Sequence, residues 1–528
     1  MENFSTRFLW VELLGGLLLG VTVFRLLIRK LTVLKLKLPP GPGGYPIVGS
    51  FPLLGAVPGE PAHQMFKRLQ EKYGPIVYLQ MGSCPTIIVA DSETAKAVLR
   101  DQDHLFASRP LLSVGKYLGF NYQGMVWSQM GDHYKQMRKI FAAEILSPKR
   151  VMQSHEVREN GMQATISSIF DEFSIGQGTN LTVELNNLSL NNLMNMLFGR
   201  KDGQLLGGQS WLSMHELKDV VREVIELSGE FDYGDYLPIV RWLDLTGFIG
   251  RLKSTQKRMK AISGKIIEQH REHRKMVTGT GDEQKEIQDH NILDVLLSLK
   301  GEDALRDDAI TGVIFDVIIA GSDTTSISAD WAIAELMRKP ELLKKLQSQI
   351  DMVVGKERMV KESDLPHLPY LHCVIKESLR MHSPAPLGIP HCSIKGTKLA
   401  GYDIPGGSTV LVNLWALNRD PKNWPNPDEF RPERHEVNDV NMFGQDFTLL
   451  PFGSGRRGCS GMVLGFTMVQ LIVASIIHSF DLEPYGMQPS DIDVVQEKPG
   501  ITMVRAQELF VKVTPRLPTH LYQYSSIH

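Results

Sequence analysis

Phe452-Gly-Ser-Gly-Arg-Arg-Gly-Cys-Ser-Gly461 places one cysteine, Cys459, among glycines and arginines near the end of a chain of 528 residues. Gly455, Gly458 and Gly461 lack a Cβ atom, so the backbone can turn tightly and approach a ligand closely. Backbone N–H groups can then meet the lone pairs of a thiolate, while the arginines balance negative charge nearby. A sulfur that binds heme iron beside anionic propionates has these requirements. A glycine-rich surface loop with a free cysteine is the alternative at this point, because short motifs recur by chance.

The ten residues match the pattern Phe-x-x-Gly-x-Arg-x-Cys-x-Gly and resemble the heme-binding signature of the cytochrome P-450 family. The resemblance implies a mainly α fold, a triangular helical prism with a small β-rich region, which encloses one heme b. In this fold Cys459 is the expected ligand of the iron. The residues of this loop that are expected to contact the cofactor are Phe452, Gly455, Arg457 and Gly461.

The longest helical pattern runs from Arg306 to Lys339 and is nearly all apolar in its middle, as expected of a buried helix. Its apolar run leads into Ala320-Gly-Ser-Asp-Thr-Thr325. Gly321 weakens a helix locally and the Thr324 hydroxyl can divert a backbone carbonyl, so we expect a gap in the hydrogen-bond ladder. Asp323 adds an acid at that gap, which suits proton delivery to bound dioxygen. A capping or kink motif that joins two helices is the alternative.

The string Ala-Gly-x-Asp-Thr-Thr resembles the oxygen-activation motif of the same family. The resemblance implies that Asp323 relays protons and that Thr324 assists the activation of oxygen. Asp316 lies two turns before Thr324, so we expect it to face the same pocket.

Glu377-Ser-Leu-Arg380 places two opposite charges three residues apart in a helical pattern, where both lie on one face. On a protein surface such a pair contributes less than about 1 kcal/mol and is weak evidence. Together with Phe430-Arg-Pro-Glu-Arg434, the pair resembles the buried Glu/Arg/Arg triad of the family. The resemblance implies a structural role beneath the heme for Glu377, Arg380 and Arg434.

Three positions depart from the family pattern. Tyr134-Lys-Gln-Met-Arg138 resembles a helical Trp-x-x-x-Arg element, in which the arginine pairs with a heme propionate, but Tyr134 replaces the tryptophan. Arg138 and His391 are further candidates to bind the propionates, and for each the alternative is a solvated or capping side chain. Ser460 replaces the usual proline of plant relatives and His435 replaces phenylalanine, which puts the rigidity of their loops in question.

The N-terminus resembles a membrane anchor. From Phe8 to Ile28 the chain is mostly apolar, and about twenty such residues suffice to cross a bilayer as a helix. Basic residues follow at once, so the body of the protein is expected in the cytosol. The proline-rich segment Leu38–Pro46 resembles the hinge of microsomal cytochromes P-450, which implies a single-pass protein of the endoplasmic reticulum membrane. The predicted segments are an anchor at 8–28, a basic and proline-rich hinge at 29–50, a catalytic domain at 51–517 and a tail at 518–528.

Composition excludes several classes of protein. The formal net charge of −2 gives no electrostatic attraction to nucleic acid, so we expect no nucleic-acid partner. Four scattered cysteines are too few for a disulfide scaffold, and no Cys-x-x-Cys pair exists to hold zinc.

Short β-branched runs predict strands within the mostly helical body. Ile76–Gln80 and Thr86–Ala90 are predicted to form a hairpin, and Thr409–Asn413 and Leu509–Val513 are further strand candidates. The polar segment Lys275–His290 is predicted to be an exposed loop.

The resemblance implies a monooxygenase that uses O2 and oxidises a small lipophilic substrate. Electrons would come from a membrane-bound NADPH–cytochrome reductase, since the chain carries no flavin or Rossmann signature. Basic residues near Lys135, Lys139 and Arg456 would dock that reductase, and an ordinary solvated charged face is the alternative.

The substrate pocket is predicted from segments that vary within the family. Their apolar content predicts a lipophilic or aromatic substrate, because apolar linings are typical of small-molecule pockets. The segment Ala320–Thr325 looks most like the plant microsomal branch of the family, which implies a plant secondary metabolite; phenolic, terpenoid, alkaloid and fatty-acid compounds all stay open. The segments are Leu111–Trp127, Ser210–Gly250, Ile314–Ala320, Ala385–Ile389 and Gly500–Thr502, with Phe120, Tyr122, Phe231, Phe315 and Leu387 as example contacts. Two rival functions remain at this point. One is a heme-thiolate isomerase or dehydratase that does not use O2, and the other is a non-catalytic heme protein of the membrane.

Overall fold

A computed structural model describes most of the chain. Its described residues are 36–54, 57, 59–176, 178–201, 204–205, 214–238, 240–279, 291–498 and 500–523. The predicted membrane anchor at 8–28, the first part of the predicted hinge and the end of the predicted tail lie outside these residues.

The described chain is mainly helical, as predicted. Its helices of nine or more residues are α1 (Ala62–Tyr73), α2 (Asp132–Ile140), α3 (His155–Ser174), α4 (Leu181–Phe198), α5 (Met214–Gly229), α6 (Phe248–Gly279), α7 (Asp307–Arg338), α8 (Pro340–Val354), α9 (Pro369–Met381) and α10 (Met462–Ser479).

Helix α7 confirms the longest helix of the sequence prediction, with Arg306 and Lys339 as its flanking caps. Asp307 and Asp308 lie in its first turn, where negative charge complements the helix dipole. Pro340 ends α7 because proline has no N–H to continue the ladder, and it begins α8 at a position where no N–H is needed.

The prediction of a gap in the hydrogen-bond ladder of α7 is wrong. The helix is continuous from Ala320 to Thr325, and the Thr324 hydroxyl donates to the Ala320 carbonyl at 2.6 Å. A carbonyl oxygen has two lone pairs, so it accepts this hydroxyl without giving up its place in the helix.

Four helices form the centre of the molecule. Helix α7 packs along α4 on one side and along α10 on another, and α3 packs against both α4 and α10. Helices α7 and α10 are long and apolar enough to span a membrane, but 61% and 72% of their most apolar windows are buried inside the protein. Both are therefore core helices of this bundle.

A small β-rich region lies beside the helices. The predicted hairpin is confirmed as β1 (Ile76–Met81) and β2 (Cys84–Val89), joined by a two-residue turn in which Gly82 has a φ of +55°. The sheet continues with β3 (His391–Cys392) and β4 (Thr409–Val412) in the order β1–β2–β4–β3. Strand β4 is parallel to β2, and the other pairs are antiparallel.

A second sheet confirms the strand predicted near the C-terminus. Strands β5 (Phe480–Pro484) and β6 (Phe510–Pro515) are antiparallel, and Thr179–Asn180 extends them. Short two-stranded pairs join Thr397–Leu399 to Tyr402–Ile404, Glu497–Lys498 to Val504–Arg505, and Arg200–Lys201 to Gln204–Leu205.

The prediction of a loop at Lys275–His290 is wrong for its first five residues. Helix α6 continues to Gly279, so its last turn includes residues 275–279, and 280–290 lie outside the described residues.

Candidate functional site

The loop that carries Cys459 is held by its own backbone. The Cys459 N–H donates to the Phe452 carbonyl at 2.9 Å, and the Gly458 N–H donates to the Gly455 carbonyl at 3.1 Å. Gly455 has a φ of +67°, and a Cβ atom there would lie 1.8 Å from the carbonyl oxygen of Leu99. Glycine is therefore required at 455 by both backbone conformation and space.

The sulfur of Cys459 faces an internal cavity of about 430 Å³. Cys459 is exposed on the wall of this cavity, yet it is closely surrounded by protein, and this desolvation raises the pKa of its thiol. The backbone N–H of Gly461 and the charge of Arg138 oppose that rise and favour the thiolate. A metal that binds the sulfur would replace its proton, as thiolate ligands require.

The cavity has a cluster of cations beside the cysteine loop, in which Arg109 is buried and Arg138 and Arg457 are half-buried. Arg109 donates to the carbonyls of Val126, Ile389 and Pro390. Arg457 donates to the carbonyls of Ala107 and Ser128. A third arginine, Arg138, donates to the Gly458 carbonyl and to the Ser460 hydroxyl. In the described part of the chain, none of the three guanidinium groups has a carboxylate within 4.0 Å.

Their mutual repulsion indicates what the cluster binds. Burial, with the charge of Arg457, lowers the pKa of Arg109 to about 9. Burial, with the charge of Arg109, lowers the pKa of His391 to about 3. An anion would offset the repulsion between these groups, and the two propionates of a heme would supply two carboxylates here. The residues therefore fit heme b, with Cys459 to hold the iron.

Arg109 was missed by the sequence analysis. It is only 5% exposed, yet it follows Ser108 and precedes Pro110 in a segment without helical or strand periodicity. No local pattern distinguishes it from a surface arginine. Its proximity to Arg457 and His391 appears only once β3 and the cysteine loop are placed beside it.

Two departures from the family pattern supply hydrogen-bonding groups. The Tyr134 hydroxyl donates to the Arg456 carbonyl, and its ring lies under Arg457 with the guanidinium carbon 3.7 Å from the ring centroid. The Ser460 hydroxyl accepts from Arg138 Nη1 at 2.6 Å. Both side chains thus contact the cations beside the cysteine loop.

Helix α7 brings Asp316, Asp323 and Thr324 to the same cavity. Burial raises the pKa of Asp323, although a hydrogen bond with Thr502 opposes the rise. Asp323 Oδ2 is buried and has no partner in the described chain. An acid with a raised pKa and a free oxygen is suited to pass protons into the cavity.

The predicted Glu/Arg/Arg triad is a buried network of four side chains. Arg380 donates two hydrogen bonds to Glu377 at 2.9 Å, and Arg434 Nε donates at 2.8 Å. His435 Nε2 lies 2.9 Å from Glu377 Oε2 and joins the network. Burial alone would raise the pKa of Glu377, but the bonds from His435 and Arg380 outweigh burial and hold that pKa below its usual range.

The five predicted substrate segments all reach the cavity, but three of their five example residues do not. Phe315 and Leu387 line it, whereas Phe120, Tyr122 and Phe231 are absent from its wall. Phe231 instead stacks on Tyr236 with ring centroids 4.7 Å apart. The lining also includes residues of α4 that the sequence analysis missed, namely Ser189, Asn192, Leu193 and Met196.

The three surface cations predicted to dock a reductase each have a carboxylate partner. Lys135 Nζ lies 3.0 Å from Asp132, and Lys139 Nζ lies 2.9 Å from Asp303. Arg456 Nε lies 3.2 Å from an oxygen of Asp103. These pairs place positive and negative charges side by side on this face. That arrangement resembles an ordinary solvated surface, the alternative interpretation, more than a basic docking patch.

The similarity to known proteins covers almost the whole chain. A family model described as Cytochrome P450 matches residues 39–509. A cytochrome P450 of Panax ginseng, CYP736A12, is 38% identical over 493 residues, which are 91% of this chain and 94% of the relative. The flavonoid 3'-monooxygenase of Arabidopsis thaliana is 35% identical over 505 residues, 93% of this chain and 94% of the relative. A solved structure of a zebra fish cytochrome P450 with abiraterone has a TM-score of 0.69 at 25% identity, and covers 86% of this chain and 99% of that one.

Proposed function

The chain belongs to the cytochrome P450 family as a heme-thiolate monooxygenase, and from this premise we propose that it is membrane-anchored and uses O2 and NADPH-derived electrons to oxidise a lipophilic or aromatic plant secondary metabolite. The observation that carries the proposal is one largely apolar cavity, lined by Cys459 and by the pair Asp323 and Thr324. A cysteine-ligated heme supplies the redox chemistry that splits dioxygen and transfers one oxygen atom.

The side chains of the cavity hold the reactants and move protons. Arg109, Arg138, Arg457 and His391 would bind the propionates and so fix the orientation of the cofactor against α7. The Asp323 carboxyl would carry protons from the side of Thr502 to the Thr324 hydroxyl. Thr324 would present its oxygen to the reacting centre and, through its bond to Ala320, hold a fixed rotamer there.

The character of the substrate follows from the lining and the relatives. The substrate end of the cavity is formed by apolar side chains, including Phe315, Leu387 and Ile501. Several relatives are named flavonoid hydroxylases or monooxygenases, among them proteins of Arabidopsis thaliana and Petunia hybrida. An aromatic plant metabolite is therefore the substrate class that we propose.

The membrane location rests on sequence and on an exposed apolar surface. Ile47, Trp242 and Leu245 are 78%, 79% and 75% exposed. Phe51 packs edge-to-face on Tyr233 with centroids 5.5 Å apart, which joins the two segments into one surface. Large exposed apolar groups of this kind suit a lipid interface, and Ile47 lies in the predicted hinge that follows the anchor at 8–28. This arrangement would place the catalytic body on the cytosolic side of the endoplasmic reticulum membrane.

Reconstitution tests the proposal. The purified full chain is combined with a plant NADPH–cytochrome reductase and supplied with phenolic, terpenoid, alkaloid and fatty-acid substrates under labelled dioxygen. We expect one labelled oxygen atom in the product of an aromatic substrate and a ferrous carbonyl spectrum of thiolate coordination. Turnover with peroxide alone, without the reductase, would favour the isomerase or dehydratase. NADPH consumption that no substrate accelerates would favour the non-catalytic heme protein.

A further inference from the structure

Asp316 holds a loop of the cavity wall through one of its two carboxylate oxygens. Its Oδ2 accepts a hydrogen bond from the N–H of Met125 at 2.5 Å and another from the N–H of Val126 at 3.1 Å. The carbonyls of the same two residues face the cofactor side. The Val126 carbonyl accepts from Arg109 at 3.0 Å, and the Met125 carbonyl lies 3.5 Å from Arg457 Nη1. The loop is therefore fixed between one carboxylate and two guanidinium groups.

Two glycines allow the close approach on which this contact depends. A Cβ atom on Gly124 would lie 2.6 Å from Asp316 Oδ2, and one on Gly312 would lie 3.0 Å from the Cα of Gly124. Any side chain at either position would push the loop away from α7. The orientation of the Asp316 carboxylate is thus set by backbone contacts and does not depend on a mobile side chain.

The loop uses only one of the two carboxylate oxygens of Asp316. Its Oδ1 receives no hydrogen bond from any residue that the structure describes, although the side chain lines the cavity. Its neighbours on α7, Phe315 and Val317, are apolar. Burial raises the pKa of Asp316 to about 7, and the two N–H bonds oppose that rise. A carboxylate in apolar surroundings gains free energy from any donor that reaches it.

We propose that Asp316 Oδ1 accepts a hydrogen bond from a phenolic hydroxyl of the substrate, and this inference rests on the proposed function. A phenol fits better than an amine, because Arg109 and Arg457 contact the carbonyls of the same two residues and repel a cation. Asp316 and Asp323 are seven residues apart on α7, or about 10 Å along the axis. The reacting carbon of the substrate would then lie on a second ring, beyond the ring that carries the anchored hydroxyl.

The test compares two ligands in two proteins. The ligands are para-phenylphenol and its methyl ether, which differ only in the donor hydrogen and a methyl group. The proteins are the wild-type holoenzyme and Asp316→Asn, and dissociation constants are measured from the heme absorption change. An asparagine can still accept the two N–H bonds through its oxygen while it turns an NH2 donor to the cavity. We expect the wild type to prefer the phenol by about 10-fold, and the variant by no more than about 2-fold.

The control is Asp308→Asn, which changes an exposed carboxylate of the same helix that pairs with Lys260 at 2.8 Å. It should keep the full preference for the phenol. If Asp316→Asn does not load heme, Asp316→Ser gives the same comparison, because its hydroxyl can still accept from the loop. An equal preference in wild type and variant, or no binding of the phenol, overturns the assignment of Asp316. A wild type without the spectrum of thiolate coordination would instead contradict the proposed function.

Discussion

His435 Nε2 lies 2.9 Å from Glu377 Oε2, so this buried carboxylate is shared by one histidine and two arginines. Glu377 also accepts from the backbone N–H of Arg431 at 3.0 Å. Both His435 and Glu377 are almost completely buried. The hydrogen bonds to both oxygens of this carboxylate therefore come from the protein itself, and the segment 431–435 is tied to α9 through Glu377 as well as through the bond from Tyr370 to Glu433.

Glu377→Ala is expected to abolish the heme-loaded fold. The substitution leaves Arg380 and Arg434 buried without their acid, and breaking a buried pair in this way costs about 3–5 kcal/mol. The measurement is the heme content per chain of the purified variant. Near-normal heme incorporation would contradict the structural role of the network.

His435→Phe is the matched control for that variant. It restores the residue usual in the family and removes one hydrogen bond, while Arg380 and Arg434 keep their partner. We expect a loss of about 1 kcal/mol in the free energy of unfolding and normal heme content.

Thr324→Ala is expected to preserve heme binding but to lower the coupling of NADPH consumption to product. The variant loses the hydroxyl that faces the cavity, so electrons leave as hydrogen peroxide instead of entering product. The measurement is the ratio of product and of peroxide to NADPH consumed. Thr311→Ala changes the same group on the same helix at a site bonded to Ser263, and should leave the ratio unchanged.

Gly455→Ala is expected to reduce heme incorporation severely, because the new Cβ would lie 1.8 Å from the Leu99 carbonyl. Gly453→Ala is the matched control, because it introduces backbone strain without a clash. Gly453 has a similar φ of +64°, but a Cβ atom there would have no neighbouring atom within 4 Å. The Gly453 variant should cost only about 1 kcal/mol and retain heme. Equal heme content in the two variants would show that the contact with Leu99 is unimportant.

The raised pKa of Asp316 predicts a pH dependence of stability. The folded carboxyl has a pKa of about 7, above its unfolded value, so it binds a proton on folding between these two values. Its contribution to the free energy of unfolding therefore declines as the pH rises from about 4 to about 7. We expect Asp316→Asn to be more stable, relative to wild type, at about pH 8 than at about pH 5, by up to a few kcal/mol. Thermal unfolding at both pH values measures this, and a pH-independent difference would contradict it.

The sequence could predict what depends on local pattern. The cysteine loop, helix α7 and the Glu377–Arg380 pair each follow from spacing along one segment. The role of Arg109 could not be predicted, because it arises from three segments that meet only in the fold. Phe231 was assigned to the pocket from its apolar character, which does not determine whether a ring faces a cavity or packs on Phe51.

The ion pairs of Lys135, Lys139 and Arg456 have a consequence for electron delivery. Each cation already has a neighbour in its own chain, and an intramolecular partner competes at a high effective concentration. A redox protein that docked on this face would have to displace several of these neighbours at once, and it would regain little from each exposed contact. Such an encounter would be brief, and it would free the monooxygenase between its two reductions.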